Sequence, residues 1–275
     1  MSAAAGDFRL RDGRIGAVLL TGFAFAALLA PFLSPGDPLS IVGTPLVRPF
    51  TDAAVPLGTD RLGRDVLALI LHGSRTTLAV ALAAAFCALA VGAAVGAAAG
   101  LAGGWIDEGL MRLTEAFQTV PGFLLALAIV SVAGPSIASI VAAIAAGAWP
   151  GPARLVRAEV LSIRERDFVM AARAIGMHPF EIAWREVLPL ALPPAVALVS
   201  VIVAGAILTE AALAFLGLGN PNVASWGALI AEGRAVLRTA PFLSIVPGTA
   251  LVVAVLGVHL AGEGIAARLS APVHR

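Results

Sequence analysis

Apolar and polar positions along this chain fall into long blocks. Apolar runs cover residues 15–33 and 76–100, a third ends near Val132, a fourth near Trp149, a fifth follows Pro189 to about Leu216, and a sixth covers about 242–261. Runs of this length match what a helix needs to cross hydrocarbon, so the pattern predicts an all-α polytopic membrane protein with six transmembrane helices. A basic start before an apolar run also fits a cleaved signal peptide. The first run is long for a signal core, however, and Pro31 would directly follow the best small-residue cleavage point at Ala30, so it reads as a first span. Residues 34–73 hold Pro35, Pro38, Pro45, Pro49 and Pro56 and predict an extended external loop. At its end Thr59 or Asp60 can cap a short interfacial helix within residues 57–66. Gly92, Gly96 and Gly100 recur every four residues and lay a groove without side chains along one helix face. Pro121-Gly122 should kink the third span, either as a pivot or as a packing bend.

The block 167–189, DFVMAARAIGMHPFEIAWREVLP, lies between apolar segments yet contains Asp167, Arg173, Glu181, Arg185 and Glu186. It therefore folds outside the hydrocarbon. Its spacing predicts two short helices. Asp167 can cap the first, which carries Phe168, Ala171, Ala172 and Ile175 on one face, and Gly176 can end it in a left-handed turn. His178 can cap the second and Pro179 open it, with a stripe of Phe180, Ala183, Trp184 and Val187, and Pro189 marks where the next segment begins. A helix–glycine–helix knob between two spans suits a groove on a partner; an amphipathic interfacial linker is the plainer reading.

Composition agrees with the membrane class. Of 275 residues, 59% are hydrophobic and 13% charged, with a mean hydropathy of +0.95. A net charge of +1 without any basic run gives no footing for nucleic acid. The single cysteine, Cys87, excludes a disulfide framework and reads as a packing residue. All 18 basic residues are Arg. A phosphate-binding loop of the Walker A type needs a Lys, so any ATP hydrolysis must come from another polypeptide. His72, His178, His259 and His274 have no metal-ligand spacing, and His72-Gly73-Ser74 lacks the strained turn of a serine nucleophile, so neither a catalytic site, a metal site nor a cofactor is expected. His259, inside the sixth span, reads as a packing histidine. Glu210 lies within the fifth span, where a charge costs on the order of 2.5 to 3.5 kcal/mol on insertion scales, and should face a cavity or a partner. Proton coupling, substrate contact and a bond to a neighbouring helix are all open to it. A self-contained, ion-coupled secondary transporter remains the alternative, although no clear internal repeat is visible.

Several stretches resemble one family. Ala171-Ala172, Gly176 and Leu188-Pro189 are similar to the Glu-Ala-Ala…Gly…Leu-Pro loop with which bacterial ABC-type importer permeases dock onto their ATPases, here with Met170 in place of Glu and Glu186 where Ile is common. Residues 57–66, LGTDRLGRDV, resemble a stretch of the dipeptide, oligopeptide and nickel branch, as do Asp107…Met111-Arg112…Glu115…Pro121, Phe215-Leu216-Gly217-Leu218-Gly219 and Ser225-Trp226-Gly227. The end departs from that branch, with His259, Gly262-Glu263 and a charge-poor tail. The resemblance implies the second permease of such a system, with a type I ABC importer transmembrane fold in the bacterial inner membrane. It implies residues 1–70 as an N-terminal helix and external loop, and 71–270 as the transmembrane domain with its docking loop at 167–189. It further implies a heterodimer with a homologous permease, two cytoplasmic ATPase subunits and an external solute-binding protein. The imported solute would be a di- or oligopeptide, nickel or another small polar solute. ATPase coupling falls to Phe168, Ala171, Ala172, Gly176, Pro179, Leu188 and Pro189, and a gate or subunit contact to Glu210 and Pro121. Six spans with both termini cytoplasmic place twelve Arg inside (Arg9, Arg11, Arg14, Arg112, Arg154, Arg157, Arg164, Arg166, Arg173, Arg185, Arg268, Arg275) and six outside (Arg48, Arg61, Arg64, Arg75, Arg234, Arg238), the expected bias.

Overall fold

The computed structural model describes residues 2–269, and its regular elements there are helical, with two isolated β-bridges in the first long loop. In order they are α1 Ser2–Leu33, α2 Val66–Ala102, α3 Gly104–Thr119, α4 Gly122–Ala133, α5 Ile137–Ala148 and α6 Pro150–Arg164. They continue as α7 Asp167–Ala174, α8 Pro179–Ile182, a π-helical turn Ala183–Val187, α9 Leu188–Ala197, α10 Val199–Phe215, α11 Trp226–Arg234 and α12 Phe242–Leu269. Three stretches are each long and apolar enough to cross a membrane alone: Gly13–Leu33, Val66–Ala102 and Phe242–Ala266. Three further crossings are bent pairs, α3 with α4 at 84°, α5 with α6 at 42°, and the helix ending at Ala197 with α10 at 42°. Counting each pair once gives up to six. The tail from Ser270, with His274 and Arg275, lies outside the described residues.

The break at Pro121 is far sharper than a kink. Val120 takes an extended conformation (φ −94°, ψ 125°) and Pro121 follows at ψ 127°, so two residues leave the helix instead of one hydrogen bond being lost. The steric demand of a proline on the residue before it accounts for this. The second span also starts earlier than its apolar run. Asp65 caps α2 by accepting from the Leu67 amide, so the separate interfacial helix expected in residues 57–66 does not form. Gly58 and Gly63 at φ +78° and +83° turn the chain there, in a conformation that suits glycine. Thr59 and Asp60 tie the loop instead of capping a helix. The Thr59 hydroxyl donates to the Thr44 carbonyl (2.7 Å) and accepts from the Val47 amide (2.9 Å).

Helix α2 is the central post, packed against α1, α5, α6 and α10. Its small residues Ala81, Ala84 and Ala85 let Ile140 and Ile144 of α5 and Ile207 of α10 close in. The glycine groove is filled by α6. A Cβ on Gly96 would lie 2.2 Å from the Ala153 carbonyl oxygen, and one on Gly92 2.5 Å from that of Trp149. Cys87 and His259, both read as packing residues, are exposed on the outer faces of α2 and α12, where His259 sits 3.6 Å from Glu263 one turn on.

Candidate functional site

The knob at 167–189 grows directly out of α6. Arg166 occupies the cap position of α7 without a side-chain bond, and Asp167 takes the first helical position, one residue later than the cap expected of it; there its charge still complements the helix N-terminus. The helix ends as its sequence predicts. The Gly176 amide donates to the Arg173 carbonyl and the Met177 amide to that of Ala172, a Schellman closure with Gly176 at φ +82°. A Cβ on Gly176 would meet nothing within 4 Å, so backbone conformation and not space selects glycine here. His178 Nδ1 then accepts from the Phe180 amide (3.3 Å), and Pro179 opens α8.

Beyond Ile182 the chain does not break at Pro189. Pro189 has no amide hydrogen to give, and the Leu188 amide reaches back five residues to the Ala183 carbonyl, so the helix absorbs an extra residue as a π-turn and runs on to Ala197. From Pro179 to Ala197 the second half of the knob and α9 are therefore one continuous lever, which bends by 42° into α10.

The faces of the knob differ from the predicted stripes. Val169, Ala172, Ile182 and Val187 are buried against Val156, Val160 and Ile163 of α6 and Ala191 and Ala195 of α9. Of the two predicted stripes, only Ala172 and Val187 are buried. Ala171, Pro179 and Pro189 are exposed, Leu188 is half-buried and Phe168 is partly open. Ile175 is 84% exposed, Phe180 72% and Trp184 66%, three large apolar side chains on the free side. Beside them a cleft of about 970 Å³ is lined by Ile106, Arg164, Arg173, Met177, His178 and Phe180 among others. The base of the knob is bolted down. Arg157 of α6 forks onto both carboxylate oxygens of Asp107 in α3, and Arg164 donates to the Gly100 carbonyl at the end of α2 (3.0 Å).

Glu210 occupies a separate place. It is 2% exposed, and Oε2 accepts from the hydroxyl of buried Thr77 in α2 (3.1 Å), so its hydrogen bond lies within this chain. Next to it Ser225-Trp226-Gly227 plugs the bundle. The Ser225 hydroxyl caps α11 by accepting from the Ala228 amide, and the fully buried Trp226 donates from Nε1 to the Ile70 carbonyl (3.0 Å). Gly73 and Gly227 make room: a Cβ on Gly73 would sit 2.8 Å from the indole, and one on Gly227 2.2 Å from the Ala211 carbonyl oxygen. Thr77 and Gly73 went unnoticed in the sequence because a small residue in an Ala-rich helix carries no signal until its partner is known. Pro121 lies at the α3–α4 break, and neither the knob nor Glu210 includes it.

Comparison with known proteins follows the same lines. Residues 90–271 match the family model described as binding-protein-dependent transport system inner membrane component. A probable peptide ABC transporter permease of Sinorhizobium fredii is 41% identical, over 91% of this chain and 86% of its own length. The dipeptide transport system permease DppC of Alkalihalophilus pseudofirmus is 35% identical, over 91% and 83%. Among solved structures, an inward-facing MetNI methionine ABC transporter superposes with a TM-score of 0.61 at 21% identity, over 73% of this chain and 95% of the other. A bundle with up to six crossings, a helix–glycine–helix knob on a continuous lever and these likenesses lead to one conclusion: the chain belongs to the binding-protein-dependent transport system inner membrane components, as an ABC importer permease with the type I fold.

Proposed function

We propose that this permease carries peptides into the cell and is driven, through the knob at 167–189, by a separate cytoplasmic ATPase. The observation that carries the reading is the outward apolar face of the knob, Ile175, Phe180 and Trp184, mounted on helices anchored from beneath by Val169, Ala172, Ile182 and Val187. An apolar helix face of this kind is what a groove on a partner recognises. The absence of lysine throughout the chain supports an external source of ATP hydrolysis, and the peptide-permease names of the relatives support the substrate class. Both termini and the knob then lie in the cytoplasm, in keeping with the Arg bias. The N-terminal unit is α1 with its loop, and the translocating unit begins with α2 at Val66, because residue 70 lies inside that helix. A homologous second permease and an external binding protein complete the assembly.

In this mechanism ATP binding closes the ATPases and moves the knob. The π-turn passes that motion into α9 and α10, while the Asp107–Arg157 fork and Arg164 pass it to α3 and α2. Glu210 and Pro121 serve as the external gate contact and the bend between half-spans. The test is peptide uptake by Gly176→Val in the intact transporter. Valine at φ +82° strains the turn, so uptake falls sharply while membrane insertion is retained; uptake at the parent rate contradicts the reading.

A further inference from the structure

Where the 34–65 loop meets α11, a cluster of charges takes no part in the knob or in the Glu210 site. We propose that Asp60 and Glu232 share a single proton, and that with Arg64 this pair latches the 34–65 loop onto α11.

Asp60 is fully buried. Its Oδ1 accepts from the Leu62 and Arg64 amides, each at 2.8 Å, but Oδ2 has no donor, and its nearest cation is Arg64 Nε at 3.8 Å, beyond hydrogen-bonding distance. Glu232 Oε2 is likewise buried without a donor, and Oε1 stands 3.8 Å from Arg64 Nη1. Arg64 Nε in turn lacks an acceptor. Two ionised carboxylates would leave two buried acceptor oxygens without a donor and crowd two negative charges beside the one Arg64 guanidinium in a partly buried site, a costly arrangement. One proton resolves it. A protonated Glu232 can donate to Asp60, which gives both orphan oxygens a partner and removes one negative charge from beside Arg64.

Glu232 is the member that holds the proton. Burial first, and then the Asp60 charge, push its carboxyl above the ordinary glutamate range, against the opposing pull of Arg64 and Arg61. Those are the charged groups that bear on it. Asp65 is committed to capping α2, Asp37 to the Leu39 amide, and Arg234 stacks on the Phe215 ring at 5.3 Å. A cleft of about 300 Å³, lined by Arg64, Glu232, Asn220 and Ser225 among others, gives the pair a route for proton exchange. The sign follows from the direction of the shift. The latch is fully formed below the ordinary glutamate value of 4.5 and is lost as pH rises through Glu232's raised value. The external loop is thus firmer in an acidic medium than in an alkaline one. This holds whatever solute the chain carries.

The test uses the full chain in lipid nanodiscs, in a Cys87→Ala background, with spin labels at the exposed positions Ala53 and Arg238. Infrared pH-difference spectra follow the protonated carboxyl, and the label-to-label distance follows the loop. The parent should show a carboxylic-acid band that disappears at high pH together with a broadening of the distance. Glu232→Gln carries a permanent amide donor to Asp60, so it should lose that band and keep a narrow distance at every pH. Asp60→Asn should retain the Glu232 band with its midpoint moved to lower pH, which provides a second reading if Glu232→Gln does not accumulate. An unchanged band in Glu232→Gln, an unmoved midpoint in Asp60→Asn, or a distance that still titrates in Glu232→Gln overturns the proposal.

Discussion

The two ends of this permease treat their tryptophans in opposite ways, Trp226 fully buried and Trp184 largely exposed. The end built from α11 and the 34–65 loop encloses its indole and polar groups: Trp226 is fully buried with its nitrogen bonded, Thr59 and Asp60 are enclosed, and Glu210 finds a donor within the same chain, while Phe50 and Ile41 of the loop stay exposed. The knob at the other end turns Ile175, Phe180 and Trp184 outward while burying Val169, Ala172, Ile182 and Val187 beneath them. Both ends use glycine at positive φ to close a helix, Gly217 above and Gly176 below. Local backbone chemistry is therefore shared, and what differs is where the apolar payload goes. A buried, hydrogen-bonded indole supports the fold; three large apolar side chains gathered on the free side of a knob are shaped for another protein.

Substitutions should separate the two ends by what they damage. The largest effect belongs to Trp226→Ala, which empties the plug and removes the indole's bond to the Ile70 carbonyl. Stability should fall by about 3 to 5 kcal/mol, measured as a drop in the thermal unfolding midpoint of the solubilised chain. Next comes Gly96→Leu, whose side chain must displace the Ala153 backbone in the α2–α6 groove. A loss of about 1 to 3 kcal/mol is expected in the same measurement. Trp184→Ala or Phe180→Ala should leave that midpoint within about 0.5 kcal/mol of the parent, yet weaken ATPase association by roughly 30-fold in a binding titration. A knob variant that unfolds the chain, or a Trp226 variant that affects only ATPase binding, would erase the distinction between the ends. The smallest effect concerns Glu210→Gln. Its amide still accepts from Thr77, so folding should be nearly unchanged, and a loss of uptake would assign the charge itself to transport.

Much of this was legible from spacing because the residues concerned act locally. The six apolar runs, the Gly176 closure and the His178 cap followed by Pro179 depend on a few adjacent residues, and each forms. Pro121 was read correctly as a disruption but not in degree, since the effect on Val120 compounds its own. What stayed hidden depends on distant partners. The repeat shows that the knob carries apolar faces suited to a partner, but not that Val169 and Ile182, outside the expected stripes, are buried against α6 and α9. Thr59 and Asp60 were read as caps because cap chemistry and loop-tying chemistry use the same side chains; only their bonds to residues 44, 47, 62 and 64 distinguish the two. The glycine groove was visible, yet its occupant α6 lies some sixty residues along the chain.

The docking role of the knob is tested most directly by affinity purification from native membranes in mild detergent, comparing the parent chain with Phe180→Ala/Trp184→Ala. The parent should bring down a Walker-A-bearing ATPase with retained activity and a second permease, and the double variant should keep the permease and lose the ATPase. An ATPase retained in full by the double variant, or a parent chain that purifies alone and moves solute under an ion gradient, would contradict it.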